Sequence, residues 1–280
     1  MKLSKEVLKI DAEAVKERII RFIRSYVKKC GAKGIVIGLS GGVDSSTAAA
    51  LSVLALGSNR VQGLIMPEKE TYNELDIKHA EILANKFGMK VDYIDITPIV
   101  KAFYKTVPVY DANDRVSNGN IKVRTRMICL YYYANRFNML VCGTTDKSEY
   151  MIGYYTKWGD GGVDIEPISD LYKTQVRQLA LHIGVPKEIV EKPSSPRLWP
   201  GHKAEDEIGL SYEVLDLILY GFEHFMTAEE VASQLNLPLE VVLAVKRRWL
   251  INEHKRRMAP APKLFYRTAG ADFRLPILIS

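Results

Sequence analysis

The apolar positions of residues 12–29 (Val15, Ile19, Ile20, Phe22, Ile23, Tyr26 and Val27) recur at helical spacing among charged neighbours, which predicts a helix with one buried face. The pattern then changes. Gly34-Ile35-Val36-Ile37 is a short continuous apolar run, as expected of a strand buried on both faces. It predicts a strand over 34–39, followed by a helix over 44–56. Val61-Gln62-Gly63-Leu64-Ile65-Met66 reads as a second strand ending at Pro67, and 73–87 as a helix stopped by Gly88. Residues 90–96 form a third strand. A loop then leads to a helix near 121–136, and Met139-Leu140-Val141-Cys142-Gly143 is a fourth strand. Short strands separated by helical patterns imply an α/β fold, a Rossmann-like doubly wound parallel sheet covered on both faces. In such sheets ligands bind beyond the C-terminal strand ends, where 38–45, 67–71 and 143–149 fall.

Beyond Gly143 the regularity is lost. Residues 151–170 are rich in Gly, Asp and Tyr and read as a loop over a site; 171–183 read as a helix. Residues 192–207 hold Pro193, Pro196 and Pro200, and a long irregular stretch of this kind is either functional or disordered. Three helices follow, near 211–221, 227–235 and 238–256. The chain reads as a single domain over 1–280: an α/β core of about 12–190, the irregular loop 192–207, and a C-terminal helical extension over 211–257.

Composition narrows the function. No apolar run approaches 18 residues, so no transmembrane helix is expected. The N-terminus runs into a charged amphipathic helix and does not resemble a signal peptide. Cys30, Cys129 and Cys142 have no C-x-x-C spacing and read as free thiols of a cytoplasmic protein. The five histidines have no ligand spacing, which argues against zinc. The net charge of +6 is concentrated in 246–257, which holds six Lys or Arg and one Glu. The remainder is nearly balanced, which suits anionic small molecules better than a nucleic-acid coat.

The candidate chemistry starts at Gly38-Leu39-Ser40-Gly41-Gly42-Val43-Asp44-Ser45. A glycine-rich turn between a strand and a helix aims several backbone N–H groups at one point, where the helix dipole also favours an anion. No lysine lies between Gly34 and Gly57, so this is not a Walker loop, and the glycines lack the G-x-G-x-x-G spacing of a dinucleotide fingerprint. The segment resembles Ser-Gly-Gly-x-Asp-Ser, the pyrophosphate loop of the N-type ATP pyrophosphatases. Asp44 would repel phosphates unless a cation stood between them, which implies Mg²⁺.

Four further segments refine the resemblance: Asn118 to Met127, Gly143-Thr144-Thr145-Asp146-Lys147-Ser148-Glu149, Tyr155-Thr156-Lys157-Trp158-Gly159-Asp160-Gly161-Gly162-Val163-Asp164, and His254-Lys255-Arg256-Arg257. With the loop, in this order, they resemble the ammonia-dependent NAD synthetases from about Ile35 to Arg257. Asp206 to Tyr212 is also family-like. The resemblance implies an adenine nucleotide alpha hydrolase-like fold. It also implies the reaction: adenylation of deamido-NAD by ATP, then attack of ammonia on the adenylate, releasing AMP, the last step of NAD biosynthesis. By the same resemblance ATP meets Gly38, Leu39, Ser40, Gly41, Gly42, Val43, Asp44, Ser45, Thr144, Lys173 and Ser195, and Mg²⁺ meets Asp44 and Glu149. Deamido-NAD meets Arg124, Lys157, Asp164, His254 and Lys255, with Arg126 the alternative to Arg124. Lys157 or Asp160 could assist proton removal from ammonia. The expected partners are deamido-NAD, ATP and ammonia, with a homodimer and neither nucleic acid nor membrane.

Glutamine-dependent members carry an added amidase domain. About 33 residues precede the first strand here, against the roughly 100 a domain usually needs, so ammonia is expected from solution or from a separate protein. Two rival readings remain. Another amidating or thiolating ATP pyrophosphatase shares the loop, but thiolation generally needs catalytic cysteines near the site, and Cys142 and Cys129 fall inside a strand and a helix. A DNA-binding helix-turn-helix over 227–256 is the rival from another class, although two helices joined by a short turn are common without DNA.

Overall fold

The computed structural model describes residues 2–273. Within them four strands, β1 (Gly34–Gly38), β2 (Val61–Ile65), β3 (Lys90–Tyr93) and β4 (Met139–Cys142), pair in parallel in the order β3-β2-β1-β4. The helices in chain order are α1 (Ala12–Lys29), α2 (Val43–Leu56), α3 (Glu74–Phe87), α4 (Thr97–Thr106), α5 (Arg115–Phe137), α6 (Lys147–Ile152) and α7 (Lys173–His182). They continue with α8 (Lys187–Val190), α9 (Ala204–Ile208), α10 (Tyr212–Glu223), α11 (Ala228–Leu235), α12 (Leu239–Ile251) and α13 (Glu253–Arg256).

Strand alternation sends successive β1 side chains to opposite faces. Ile35 and Ile37 join one buried cluster with Ile23 of α1, Leu51 of α2 and Val176 of α7. Val36 joins a second cluster with Leu64, Val141, Val100 of α4 and Ala134 of α5. Helix α2 is wrapped by α1, α7 and the sheet, so it is apolar almost all round; Ala48, Ala49, Ala50 and Leu51 are fully buried. Gly34 admits the start of β2: a Cβ there would collide with the carbonyl of Arg60. A third cluster belongs to the C-terminal helices. Tyr212, Leu215, Ile218 and Leu219 of α10 pack with Val231, Val242 and the N-terminal Leu3 and Leu8. This layer rests on α6, which follows β4, and on α7.

The chain winds from β1 outward through β2 to β3, then returns to β4 on the other side of β1. The loops leaving β1 and β4 therefore diverge, which opens a crevice at their C-terminal ends.

The doubly wound parallel sheet agrees with the sequence pattern, while several boundaries move. Helix α4 fills part of the stretch expected to be loop, with Pro98 in its first turn. Helix α5 begins at Arg115 rather than near 121, capped by Asp114, whose carboxylate accepts from Ser117 N. The third strand stops at Tyr93. Helix α6 runs into the start of the expected loop 151–170, and α9 begins inside 192–207. The long helix over 238–256 breaks at Asn252, whose side chain caps the carbonyls of Ile152 and Arg248. Among the described residues no helix is long and apolar enough to cross a membrane.

Candidate active site

The crevice begins with the loop after β1. Gly42 caps α2, leaving the first-turn N–H groups without helical acceptors. The serine side chains fix the loop. Ser40 Oγ accepts from Gly42 N and lies 2.9 Å from Ser45 Oγ, and Ser45 Oγ donates to Gly42 O. Gly41 has φ +70°, and a Cβ there would strike the carbonyl of Asp76 on α3. Lys192 spans the same junction: its Nζ donates to Gly41 O and to Asp76 Oδ1, the latter at 2.8 Å.

Beneath the loop lies a buried cluster of charges. Lys173 opens α7 and is completely shielded from solvent. Its Nζ stands 2.7 Å from Asp44 Oδ2, 2.9 Å from Asp146 Oδ2 and 2.9 Å from Glu149 Oε1. A cation at the first turn of a helix opposes the dipole; three carboxylates there reverse the balance. Burial opposes the charge on Lys173, but the carboxylates outweigh it and hold the ammonium well above its ordinary range. Burial, reinforced by the like charges around them, raises Asp146 to about 7 and Glu149 to about 8, against the pull of Lys173.

Neighbouring groups position this cluster. Tyr212 lies with its ring 4.8 Å from Lys173 Nζ, and its hydroxyl donates to Glu149 Oε1 at 2.9 Å. Asp216, fully buried on α10, accepts from Ser148 Oγ at 2.5 Å and from Thr174 N at 2.9 Å, while Ser148 Oγ accepts from Lys173 N. Burial pushes Asp216 up to about 6 even so. The first turn of α7 is thus capped from outside, by α6 and α10 together.

The carboxylate oxygens of Asp44, Asp146 and Glu149 lie within 4.8 Å of one another, and Asp44 Oδ1 is buried without a hydrogen-bond partner. An all-oxygen, acidic set with an unused buried acceptor fits a hard divalent cation such as Mg²⁺.

Above the cluster is a cavity of about 440 Å³. It brings together Gly38, Leu39, Ser40, Gly42, Val43, Asp44 and Ser45 with Thr144, Glu149, Ser195, Asp160 and Lys255. Lys173 lies below its floor. Ser195 belongs to the segment over the mouth, and its hydroxyl donates to His202 O. Lys192 and Arg197 fasten that segment to α3, with Arg197 Nε 2.8 Å from Asp76 Oδ2.

The other expected residues gather around 153–164, and Lys255 joins them there as well as lining the main cavity. Lys157 Nζ donates to His254 O, and Arg124 donates to Lys157 O. Lys255 donates to the carbonyls of Gly153 and Tyr155. Both oxygens of Asp164 are engaged within the chain, one by Tyr131 and one by Val141 N. Trp158 holds this segment at φ 60°, an uncommon conformation for a bulky residue. A smaller cavity of about 180 Å³, walled by Tyr150, Trp158, Glu166 and Arg257, adjoins the first through Thr145, Tyr155, Val163 and Lys255. Arg126, and not Arg124, lines the main cavity; its Nε donates to Met66 O at 2.9 Å.

Sequence reasoning missed Asp146, Asp76, Lys192, Tyr212 and Asp216. Asp146 had a signal: it lies three residues before Glu149 and caps α6, its Oδ1 accepting from Glu149 N. Tyr212 closes the family-like stretch Asp206 to Tyr212, though nothing there gave it a role; Asp76, Lys192 and Asp216 reach the site from distant segments and carry no local signature.

Comparison with known proteins adds a family to this geometry. The NAD synthase family model matches residues 15–259. The NH(3)-dependent NAD(+) synthetase of Hyperthermus butylicus is 51% identical over 258 residues, covering 92% of this chain and 93% of that protein. That of Methanocaldococcus jannaschii is 48% identical over 254 residues, covering 90% and 97%. Among solved structures, the NMN synthetase from Francisella tularensis superimposes with a TM-score of 0.81 at 30% identity, covering 91% of this chain and 100% of that one. The NH3-dependent NAD synthetase from Campylobacter jejuni gives 0.76 at 30% identity with the same coverage.

The cap on α7 has a testable cost. Asp216→Ala leaves Thr174 N–H and Ser148 without their acceptor and should lower stability by about 1–3 kcal/mol, read from the urea midpoint. Asp216→Asn keeps an acceptor and should lose less. An Asp216→Ala protein of unchanged midpoint would show that the clamp is dispensable.

Proposed function

The chain belongs to the NAD synthase family, and from that premise we infer that it amidates deamido-NAD with ammonia at the expense of ATP, giving NAD, AMP and pyrophosphate. One observation carries the reading. The phosphate loop and the segment most specific to the family, through Thr156, Gly159 and Asp160, line a single cavity.

The reaction has two halves. A nicotinate carboxylate oxygen attacks the α-phosphorus of ATP, and the bond to the β-phosphate oxygen breaks. Ammonia then attacks the acyl carbon, and the carbon–oxygen bond to AMP breaks. In the first half the N–H groups of Gly42 and the α2 start, with the serine hydroxyls, hold the departing pyrophosphate where its charge develops. Asp44 and Glu149, joined by Asp146, are the residues that would hold Mg²⁺, which when bound supplies charge neutralisation for the triphosphate. Lys173 lies beside them beneath the cavity floor, its ammonium held by the same three carboxylates. Arg126 faces the cavity with donors beyond the one given to Met66, suited to the α-phosphate or the reacting carboxylate. Asp160, raised by burial, lines the same cavity and is the residue we assign to accept a proton from the attacking nitrogen.

The adenylate must be kept from water. The segment over the mouth serves that role, held down by Lys192 and Arg197 on Asp76. Arg124, Lys157, Asp164, His254 and Lys255 form the neighbouring region assigned to the dinucleotide. Asp164, with its two oxygens taken by Tyr131 and Val141, acts there by shaping the region. Ammonia as the donor is supported by the relatives, which are named for it and matched over nearly their full length. The helix-turn-helix reading loses support: Val231, Ala232, Val242 and Val245 are buried within the C-terminal layer, and Lys255 and Arg256 bond carbonyls of this chain. The mutual packing of the three clusters supports a single domain, and the free cysteines support a reducing cytoplasm. A homodimer is supported by the outer face of α5, where Ile128 and Tyr132, one turn apart, are 60% and 70% exposed.

Purified protein with ATP, Mg²⁺ and ammonium should form NAD and AMP one for one from deamido-NAD, and far less product from the corresponding mononucleotide or xanthosine monophosphate. A preference for either of those overturns the assignment. Asp44→Ala and Glu149→Ala should each lower pyrophosphate release at least ~100-fold, a loss expected of a group that supports transition-state charge. Asp76→Ala removes both ion pairs that tie the mouth segment to α3 and should raise AMP formed per NAD; an unchanged ratio would remove the water-excluding role. Sedimentation should show a dimer that Ile128→Glu with Tyr132→Glu splits, and a monomeric parent chain would refute the interface.

A further inference from the structure

Lys173 fills the space that a divalent ion would need. Its ammonium lies 2.7–2.9 Å from one oxygen each of Asp44, Asp146 and Glu149, among oxygens that approach one another within 4.8 Å. Mg²⁺ binds carboxylate oxygens at roughly 2.0–2.1 Å. An ion seated on this trio would therefore sit within the contact radius of the ammonium, two cations in one buried hole. The lysine is also built to stay. Its backbone N–H is fixed on Ser148 Oγ, that serine is fixed on Asp216, and the ring of Tyr212 covers its side. The ammonium rides on a flexible four-carbon stem and can move while the backbone stays fixed. Asp44 belongs to the first turn of α2, so the N–H groups of the phosphate loop lie next to the cluster.

Resting on the reading that the loop takes triphosphate and the trio takes Mg²⁺, we propose that Lys173 is an internal counter-ion that bars the divalent metal from the empty site. Nucleotide phosphate draws its ammonium off the carboxylates, and the metal then takes the vacated place. Charge supports the exchange. Without nucleotide the trio already has a cation; with nucleotide, further anions arrive and one ammonium no longer suffices. The metal consequently enters with the nucleotide and not before it. Lys173 thereby couples two ligands, beyond contacting one of them.

The test uses the full chain, Mn²⁺ as the probe, and α,β-methylene-ATP, whose reacting bond cannot break. Metal binding is followed by Mn²⁺ electron paramagnetic resonance and calorimetry. Without nucleotide the wild type should bind Mn²⁺ weakly, and Lys173→Met and Lys173→Gln should bind it at least tenfold more tightly. With the analogue the order should reverse, the wild type binding more tightly than either variant. Equal or weaker Mn²⁺ binding by the variants without nucleotide overturns the proposal. So does a wild type that binds Mn²⁺ equally well with and without the analogue. Wild type that binds no Mn²⁺ even with the analogue overturns the metal reading, and the proposal with it. If a variant unfolds in chelator, because three clustered carboxylates have lost their cation, Mn²⁺ should restore its far-ultraviolet dichroism; failure to restore it also counts against the exchange.

Discussion

Buried like charges cannot stand alone, and this site is organised around that constraint. Asp44 comes from the start of α2, Asp146 and Glu149 from the segment after β4, and Lys173 from the start of α7. These origins span the sheet and the helix that follows its last strand. The ion cluster therefore holds the two diverging loops of the crevice at a fixed separation. Tyr212 and Asp216 extend the constraint into the C-terminal layer, since both act on the cluster or on the helix start that carries it. Remove the ammonium and the elements meeting there carry mutually repelling groups; remove one carboxylate and the balance shifts for the others.

Much of this was legible in the sequence where chemistry is local. The phosphate loop declared itself because glycines, serines and one aspartate fall between an apolar run and a helix start, and the structure puts that loop at the strand end where such sheets bind ligands. The parallel sheet was legible because β1 and β4 are short, apolar and separated by helical periodicity. Lys173 falls at the start of the helix predicted over 171–183, where a cation opposes the helix dipole. Less visible were elements whose signal is mixed. Helix α4 has an apolar stripe of its own, Ile99, Val100, Phe103 and Tyr104, but it starts at Thr97-Pro98 after a short strand and reads as loop, and the break at Asn252 depends on a carbonyl from Ile152, about 100 residues away.

The site residues divide the same way. Those on the loop and the segment after β4 share the main cavity because consecutive backbone places them there. Arg124 and Arg126 lie two residues apart on one helix and therefore face different sides: Arg126 lines the cavity, while Arg124 reaches the carbonyl of Lys157. Spacing alone could not choose between them, because the choice depends on which side of α5 meets the strand ends. Asp76 and Lys192 left no trace at all. Their pairing joins α3 to a proline-rich segment more than 100 residues later, and only tertiary structure brings them together.

The contact between Tyr212 and Glu149 also bears on how this molecule fails under heat. Tyr212 belongs to the C-terminal layer by packing and to the ion cluster by its hydroxyl. Proteins open in cooperative pieces, and a C-terminal layer resting on α6 and α7 is a natural piece to open first. When α10 lifts, Lys173 loses its aromatic cover and Thr174 its acceptor, and water reaches charges that had been sealed. Inactivation then precedes melting: the sheet can persist, with its phosphate loop intact, in a protein that has already lost the geometry needed for turnover.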